Sequence, residues 1–398
     1  MTLTPTVAES DIDLFDEDLY ADPYAAYREL RDLGGVVYMR QHDFYALTRY
    51  DEVRAADGDS QTYSSKGVAL LPQFNEMLVG TIIATDPPDH GALRGVLSEQ
   101  LAPRAINKLG NDIRQRADEL VQSVVRLGTF DAVTELAQQM PVSIVADLIG
   151  IPQEGREILI PGAESFFACF GPMNSFMETK VPVVTAFNEW MASVSRRDKL
   201  TPGSWGDAIF KAVDDGRIGE QSALPLMAAF LVAGMDTTVN GIGAMIRVFA
   251  EQPEAWAALR ADPSLAAAAF EETLRFESPV QLFFRQTTRD VVVDGVTIPA
   301  NSSVALHFGS ANRDERHYSH PDTFDIHRNP LDHMAFGYGT HGCAGQALAR
   351  IEARAIVAAL LEHVDHIELA GPADLHYNTV ARGLGRLPVT VHARKAQQ

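Results

Sequence analysis

Cysteine is nearly absent: Cys169 and Cys343 are the two in 398 residues, too few for a disulfide framework or a multi-cysteine zinc site. A reducing compartment is expected, with the cytoplasm as the default. The N-terminus, Met-Thr-Leu-Thr-Pro-Thr-Val-Ala-Glu-Ser-Asp, has neither a basic stretch nor an apolar one, so no secretory leader is expected. Nowhere do eighteen uncharged apolar residues run together, so the expectation is a soluble protein without a membrane span. Cations are scarce as well. Lys and Arg number 33 against 53 Asp and Glu, a formal net charge of −20. That balance disfavours nucleic acid or an anionic membrane as partner, because either would add repulsion. It leaves room for a local basic patch, and so for docking of an acidic electron-transfer protein. Gly/Ser-rich linkers, low-complexity runs and fixed-period repeats are missing too. With 46% hydrophobic and 22% charged residues, residues 1–398 are expected to fold as a single domain with a sizeable core.

What is present is mostly helical signal. Apolar repeats rich in Ala and Leu predict helices over residues 23–33, 105–127, 132–149, 180–194, 222–251, 264–276 and 344–362. Strand signals are fewer, over 36–48, 291–298, 303–308 and 387–392, with Asp294-Gly295 as a hairpin turn. The expected fold class is mainly α with small β-sheets.

The most informative segment is Phe336-Gly-Tyr-Gly-Thr-His-Gly-Cys-Ala-Gly345. Its glycines allow positive φ and close approach to a flat ligand, and the following Gln-Ala-Leu-Ala-Arg-Ile-Glu run reads as a helix. Cys343 therefore sits just before a helix N-terminus, where backbone N–H groups and the dipole favour a thiolate, the metal-ligating form. A lone cysteine is ordinarily a small buried hydrophobe. Here Phe-Gly-x-Gly-x-His-x-Cys-x-Gly resembles the haem-ligand loop of the cytochrome P450 family. The resemblance implies the cytochrome P450 fold, haem b (iron protoporphyrin IX) bound through Cys343, contacts from Phe336, Gly337 and Gly345, and O2 as co-substrate. His341 is placed to reach a haem propionate.

Further segments carry the same resemblance. Ala233-Gly-Met-Asp-Thr-Thr238 lies in the middle of the long helical run at 222–251. Glycine costs about 1 kcal/mol there relative to alanine, and threonine hydroxyls compete for the carbonyl four residues back, so a widened turn is expected. An acid beside an alcohol in an apolar helix is expensive unless hydrogen-bonded or used. Oxygen activation needs protons on the distal side of the metal, and Asp236 and Thr237 match the family's acid-alcohol pair. His90 and Arg94 stand four apart on one helix face and resemble the family's propionate-binding pair, with Arg285, placed just before a strand, as a further propionate cation. Glu272, Arg275 and Arg328 resemble its structural Glu-x-x-Arg network.

Small-ligand pockets are mostly apolar. Phe74, Phe166, Phe167, Phe170, Val232, Ala233, Val280, Leu282, Phe283 and Leu384 are the candidate lining residues, and their aromatics favour a small, flat, hydrophobic substrate. Ala228, Ala229 and Val232 offer nothing to anchor a carboxylate, which puts benzoates in doubt, although Lys66, Arg382 or Arg386 could supply a cation. Phe167-Ala-Cys-Phe-Gly-Pro-Met-Asn174, Asn378-Thr-Val and Leu387-Pro-Val resemble the bacterial branch that removes O-methyl groups from small methoxylated aromatics. The expectation is a monooxygenase that oxidises a guaiacol-like ether to a phenol and formaldehyde. No Gly-x-Gly-x-x-Gly run follows a strand to open a nucleotide-binding unit, and no iron–sulfur cysteine set exists. Electrons are thus expected from a separate ferredoxin or flavoprotein reductase, ultimately from NAD(P)H. The rival readings are another hydroxylase (of a terpene, polyketide or methoxybenzoate), a peroxide-driven haem-thiolate peroxygenase, which the acid-alcohol pair argues against, and a non-catalytic haem sensor.

Overall fold

The computed structural model describes residues 7–394. Its centre is the helix Ala223–Glu251, buried along most of its length. Around it pack the helices Gln139–Ile149, Leu159–Ala168, Ala266–Glu277 and Trp205–Asp214. One 18-residue window of the central helix is long and apolar enough to cross a membrane, yet 56% of that window is buried inside the protein, so its apolarity is accounted for by the core.

The widened turn expected in this helix does not form there. The backbone stays α-helical from Ala223 to Glu251, and the glycines serve close packing instead. A Cβ on Gly234 would stand 3.2 Å from Val145, and one on Gly241 would stand 3.2 Å from Leu274. A wide turn occurs elsewhere: the helix expected over 132–149 splits into a single π-type stretch, Val133–Ala137, followed by Gln139–Ile149.

The other predicted helices stand close to their expected places, at Tyr24–Leu33, Pro103–Leu127, Ser175–Val194, Ala266–Glu277 and Gln346–His363. Ser175–Val194 starts five residues early because the Asn174 side chain caps it, accepting from the Met177 N–H at 2.9 Å.

The stretch expected as one strand over 36–48 is a hairpin of Val36–Met39 and Phe44–Leu47, with Val36 opposite Leu47. These strands belong to a six-stranded sheet that also holds Ser303–Leu306 and Phe283–Thr287. Arg285 is inside the latter strand, opposite Val304, and not before it as expected. The Asp294-Gly295 turn joins Val291–Val293 to Val296–Ile298, with φ of 50° and 78° at the two turn residues, the pair of positive values a tight hairpin requires. In a separate three-stranded sheet, Pro388–Ala393 is the middle strand and pairs with Val364–Leu369 on one side and Thr129–Asp131 on the other.

Candidate active site around Cys343

The Cys343 N–H donates to the Phe336 carbonyl at 2.7 Å, closing the cysteine loop on itself. Gly337 and Gly339 take φ of 63° and 70°, and a Cβ at 339 would stand 3.0 Å from the Asp57 carbonyl. These two positions need glycine for backbone reasons; Gly342 and Gly345 have negative φ and do not. Gly345 opens the helix Gln346–His363. The backbone N–H groups of Gly345 and Gln346, with the charges of Arg94 and Arg350, favour a thiolate at Cys343, but burial outweighs them and the thiol pKa is raised. The expected pull of the helix terminus towards the thiolate is present, and burial opposes it; a metal cation at the sulfur would act in the same direction as the terminus.

Beneath the loop lies a dense polar network. Arg275 donates to both Glu272 oxygens at 2.7 and 2.8 Å, and to the carbonyls of Asn312 and Pro321. Arg328 reaches the same carboxylate at 3.0 Å. Sequence reasoning missed a second cluster beside it. Glu271 bonds Arg350 at 2.6 and 2.8 Å and His333 at 3.1 Å, and these partners overcome its burial to hold its pKa at about 2. The Arg350 guanidinium covers the Phe336 ring at 4.5 Å, so this cluster reaches the cysteine loop directly.

A cavity of about 480 Å³ opens on Cys343, and Phe336, Gly337, His341, Gly345, His90, Arg94 and Arg285 all line it. His90 is buried and its Nε2 has no hydrogen-bond partner among the described residues, an orphaned polar atom that calls for a ligand acceptor. Arg94 donates to the Gly342 carbonyl at 2.6 Å. Arg285 pairs with the buried carboxylate of Asp57 at 2.9 Å, a residue that no motif marks. His341 meets the Ser65 hydroxyl at 2.7 Å, and burial together with Arg285 pushes its pKa down to about 3. A sulfur, two guanidiniums and an unpartnered imidazole on one cavity fit a flat, dianionic macrocycle with a thiolate-bound iron.

On the opposite wall, Thr237 lines the cavity and its hydroxyl donates to the Ala233 carbonyl at 2.8 Å. Asp236 does not line it, contrary to the simplest reading of an acid-alcohol pair. It is buried on the far side of the helix, where Asn240 bonds its carboxyl and the charges of Glu164 and His376 act on it. Burial foremost, then Glu164, raises its pKa to about 7. Glu164 and His376 pair at 3.3 Å and are partly exposed, so polar groups lead from Asp236 towards solvent. Tyr20 fixes the strand that carries His376 by donating to its carbonyl at 2.6 Å.

Phe167, Phe170, Val232, Ala233, Val280 and Phe283 line the cavity, as does Phe166. Three expected lining residues do not. Phe74 stands behind the wall, edge-on to Phe166 and Phe170 at 5.6 and 5.3 Å. Leu282 is buried in the core, and Leu384 packs near Gly243 on the far side of the central helix. None of the three suggested cations lines the cavity. Lys66 is exposed, Arg382 is held by the carbonyls of Tyr20 and Ala21, and Arg386 faces Asp374 at 4.0 Å. Phe187, Met191, Trp205 and Phe308 line the cavity as well, and all four lie outside the motifs read in the sequence.

A sequence profile described as Cytochrome P450 matches residues 207–374. Over 383 residues the chain is 42% identical to cytochrome P450 CYP199A2 of Rhodopseudomonas palustris, covering 95% of this chain and 93% of that one. It is 32% identical to the vitamin D(3) 25-hydroxylase of Pseudonocardia autotrophica, over the full length of both. Among solved structures, cytochrome P450 CYP109Q5 from Chondromyces apiculatus is similar with a TM-score of 0.84 and 31% identity, covering 98% of this chain and 100% of that one.

Proposed function

The chain belongs to the cytochrome P450 family, and from that premise we propose that it removes an O-methyl group from a small, neutral aromatic ether. Its class is that of a haem-dependent monooxygenase fed by a separate reductase. A haem iron held by a thiolate supplies the activation of O2 and the insertion of one oxygen atom into a C–H bond. Cys343 is the residue that would hold the iron. His90, Arg94, Arg285 and His341 would hold the propionates, and Phe336, Gly337 and Gly345 would pack on the ring. A ferredoxin or flavoprotein is the electron donor we assign, and the cytoplasm the location. The chain acts as one domain, in keeping with a core cluster that runs from Phe15 to Val391.

The observation that carries the substrate class is the distal wall. Phe166, Phe167, Phe170 and Phe283 meet there, and Ala228 and Ala229 stand where an anion-binding side chain would face the cavity. Among the described lining residues, the charged ones gather on the side that serves the haem. A carboxylate would lose its hydration with no cation in return, whereas a flat ether keeps its apolar surface against the ring edges. Oxidation of the O-methyl carbon gives a hemiacetal that collapses to a phenol and formaldehyde; one O2, two electrons and two protons are consumed, with water as the other product. Thr237 offers its hydroxyl to the distal side. Asp236, protonated near neutrality, draws on solvent through Glu164 and His376 and hands protons inwards.

The test is a binding and turnover screen with reconstituted electron donors. Neutral methoxyphenols should convert the resting enzyme from low to high spin and release formaldehyde and the phenol in equal amounts. A response confined to methoxybenzoates, or to bulky alicyclic ligands, would overturn the substrate class while leaving the enzyme class intact.

A further inference from the structure

Away from the cavity, the C-terminal sheet gathers imidazoles and a carboxylate on one exposed face. His366 and His392 are direct partners across the antiparallel pair Val364–Leu369 and Pro388–Ala393. Their rings stack with centroids 3.8 Å apart at 9°. Glu368 lies two residues beyond His366 and so on the same face of the strand, with an oxygen 2.9 Å from the His392 Nε2. One ligand atom from each of the three lies within 4.8 Å of the others. The surroundings orient the set. Asp365 stands 3.4 Å from the His366 Nδ1 and is itself tied to Arg260 at 2.8 Å. A carboxylate on one ring nitrogen fixes the tautomer and leaves the other nitrogen's lone pair outward, the arrangement that metal-ligating histidines use.

We propose that His366, Glu368 and His392 form a surface site for a divalent transition cation of the zinc class, which clips the last strand to its neighbour. Two imidazoles and one carboxylate suit Zn2+, Cu2+ or Ni2+, whereas Ca2+ and Mg2+ want a shell of oxygens. Ligand bonds of about 2.0–2.2 Å draw the three atoms closer than they now stand. The exposed side chains can make that adjustment without moving the backbone, and water completes the coordination. A metal bound only by the folded sheet stabilises it by mass action. Since none of the three residues lines the Cys343 cavity, the site acts on the fold and not on the reaction.

The comparison within the molecule is the cluster Asp118, Glu362 and His363, which has one imidazole in place of two. Tag-free, chelator-treated holoenzyme is titrated with Zn2+ by calorimetry, and with Cu2+ followed by electron paramagnetic resonance. One equivalent should bind at micromolar concentration or below, with nitrogen hyperfine structure from two imidazoles and a rise in melting temperature on adding Zn2+. His366→Ala and His392→Ala should each weaken binding at least thirtyfold and abolish the rise. Glu368→Gln should weaken it about tenfold, and His363→Ala should leave it unchanged. All four side chains are at least partly exposed, so the variants should retain haem content and circular dichroism. No binding below millimolar Zn2+, or binding that survives both His366→Ala and His392→Ala, would overturn the site.

Discussion

The two walls of the cavity follow different rules. Below Cys343 the wall is polar and over-connected: Glu272 and Glu271 each collect several donors, and Arg275 and Arg328, the partners of Glu272, also reach the backbone carbonyls of the surrounding loops. Above it, the wall is a set of aromatic and aliphatic faces from many segments, brought together by packing. A buried charge network has one acceptable geometry, because any broken member leaves a charge without a partner. An apolar wall accepts changes that conserve volume. The lower wall can therefore keep its chemistry while the upper wall changes substrate.

Removing a charge from the lower wall should do most damage. Arg275→Ala removes the two shortest bonds to the buried Glu272 carboxylate and leaves it Arg328 as its cation; it should cost about 3–5 kcal/mol, read by denaturant unfolding, with loss of haem retention. A cost under about 1 kcal/mol would erase the contrast between the walls.

Asp236→Asn should come next, and it should depend on pH. The folded pKa of about 7 lies above the ordinary 3.8, so between about pH 4 and 7 the native protein keeps a proton that the unfolded chain has released. Stability present below pH 4 is thus lost as pH rises through 7, by on the order of 2–4 kcal/mol at 1.36 kcal/mol per unit. Asp236→Asn should recover that amount at pH 8 and nothing at pH 4, while slowing turnover. Equal stability changes at both pH values would show that Asp236 is not a strained buried acid.

Thr237→Ala removes the hydroxyl from the distal side and should lower product formed per NADH about tenfold, on the order of 1.4 kcal/mol at the branch between product and waste. Unchanged coupling would take proton delivery away from this residue. The smallest effect belongs to the upper wall's outer layer. Phe74→Leu should cost about 1 kcal/mol or less in stability and leave the spin shift of a methoxyphenol nearly intact, whereas Phe170→Leu should weaken it.

How much of this was legible in the sequence tracks chain separation. The cysteine loop, the His90 and Arg94 pair and the Asp294-Gly295 turn each occupy a few consecutive residues, and their spacing states their geometry. Asp57 meets Arg285 across 228 residues, and His376 meets Glu164 across more than two hundred; an isolated acid or imidazole has no periodicity to betray its partner. The errors have the same origin. Leu282 follows the Glu-x-x-Arg segment together with Val280 and Phe283, but its side chain packs into the core while theirs line the cavity. Gly234 suggested a widened turn because propensity counts only the helix, and the neighbour that needs the missing Cβ, Val145, lies on another one.

The account rests on Cys343 as the axial ligand, and the ferrous carbon monoxide adduct of the purified holoenzyme tests it most directly. The account predicts absorption at the long-wavelength position diagnostic of thiolate ligation, lost in Cys343→His in favour of an imidazole-type spectrum. A wild-type adduct that already absorbs at the imidazole-type position in folded, haem-loaded protein would contradict it.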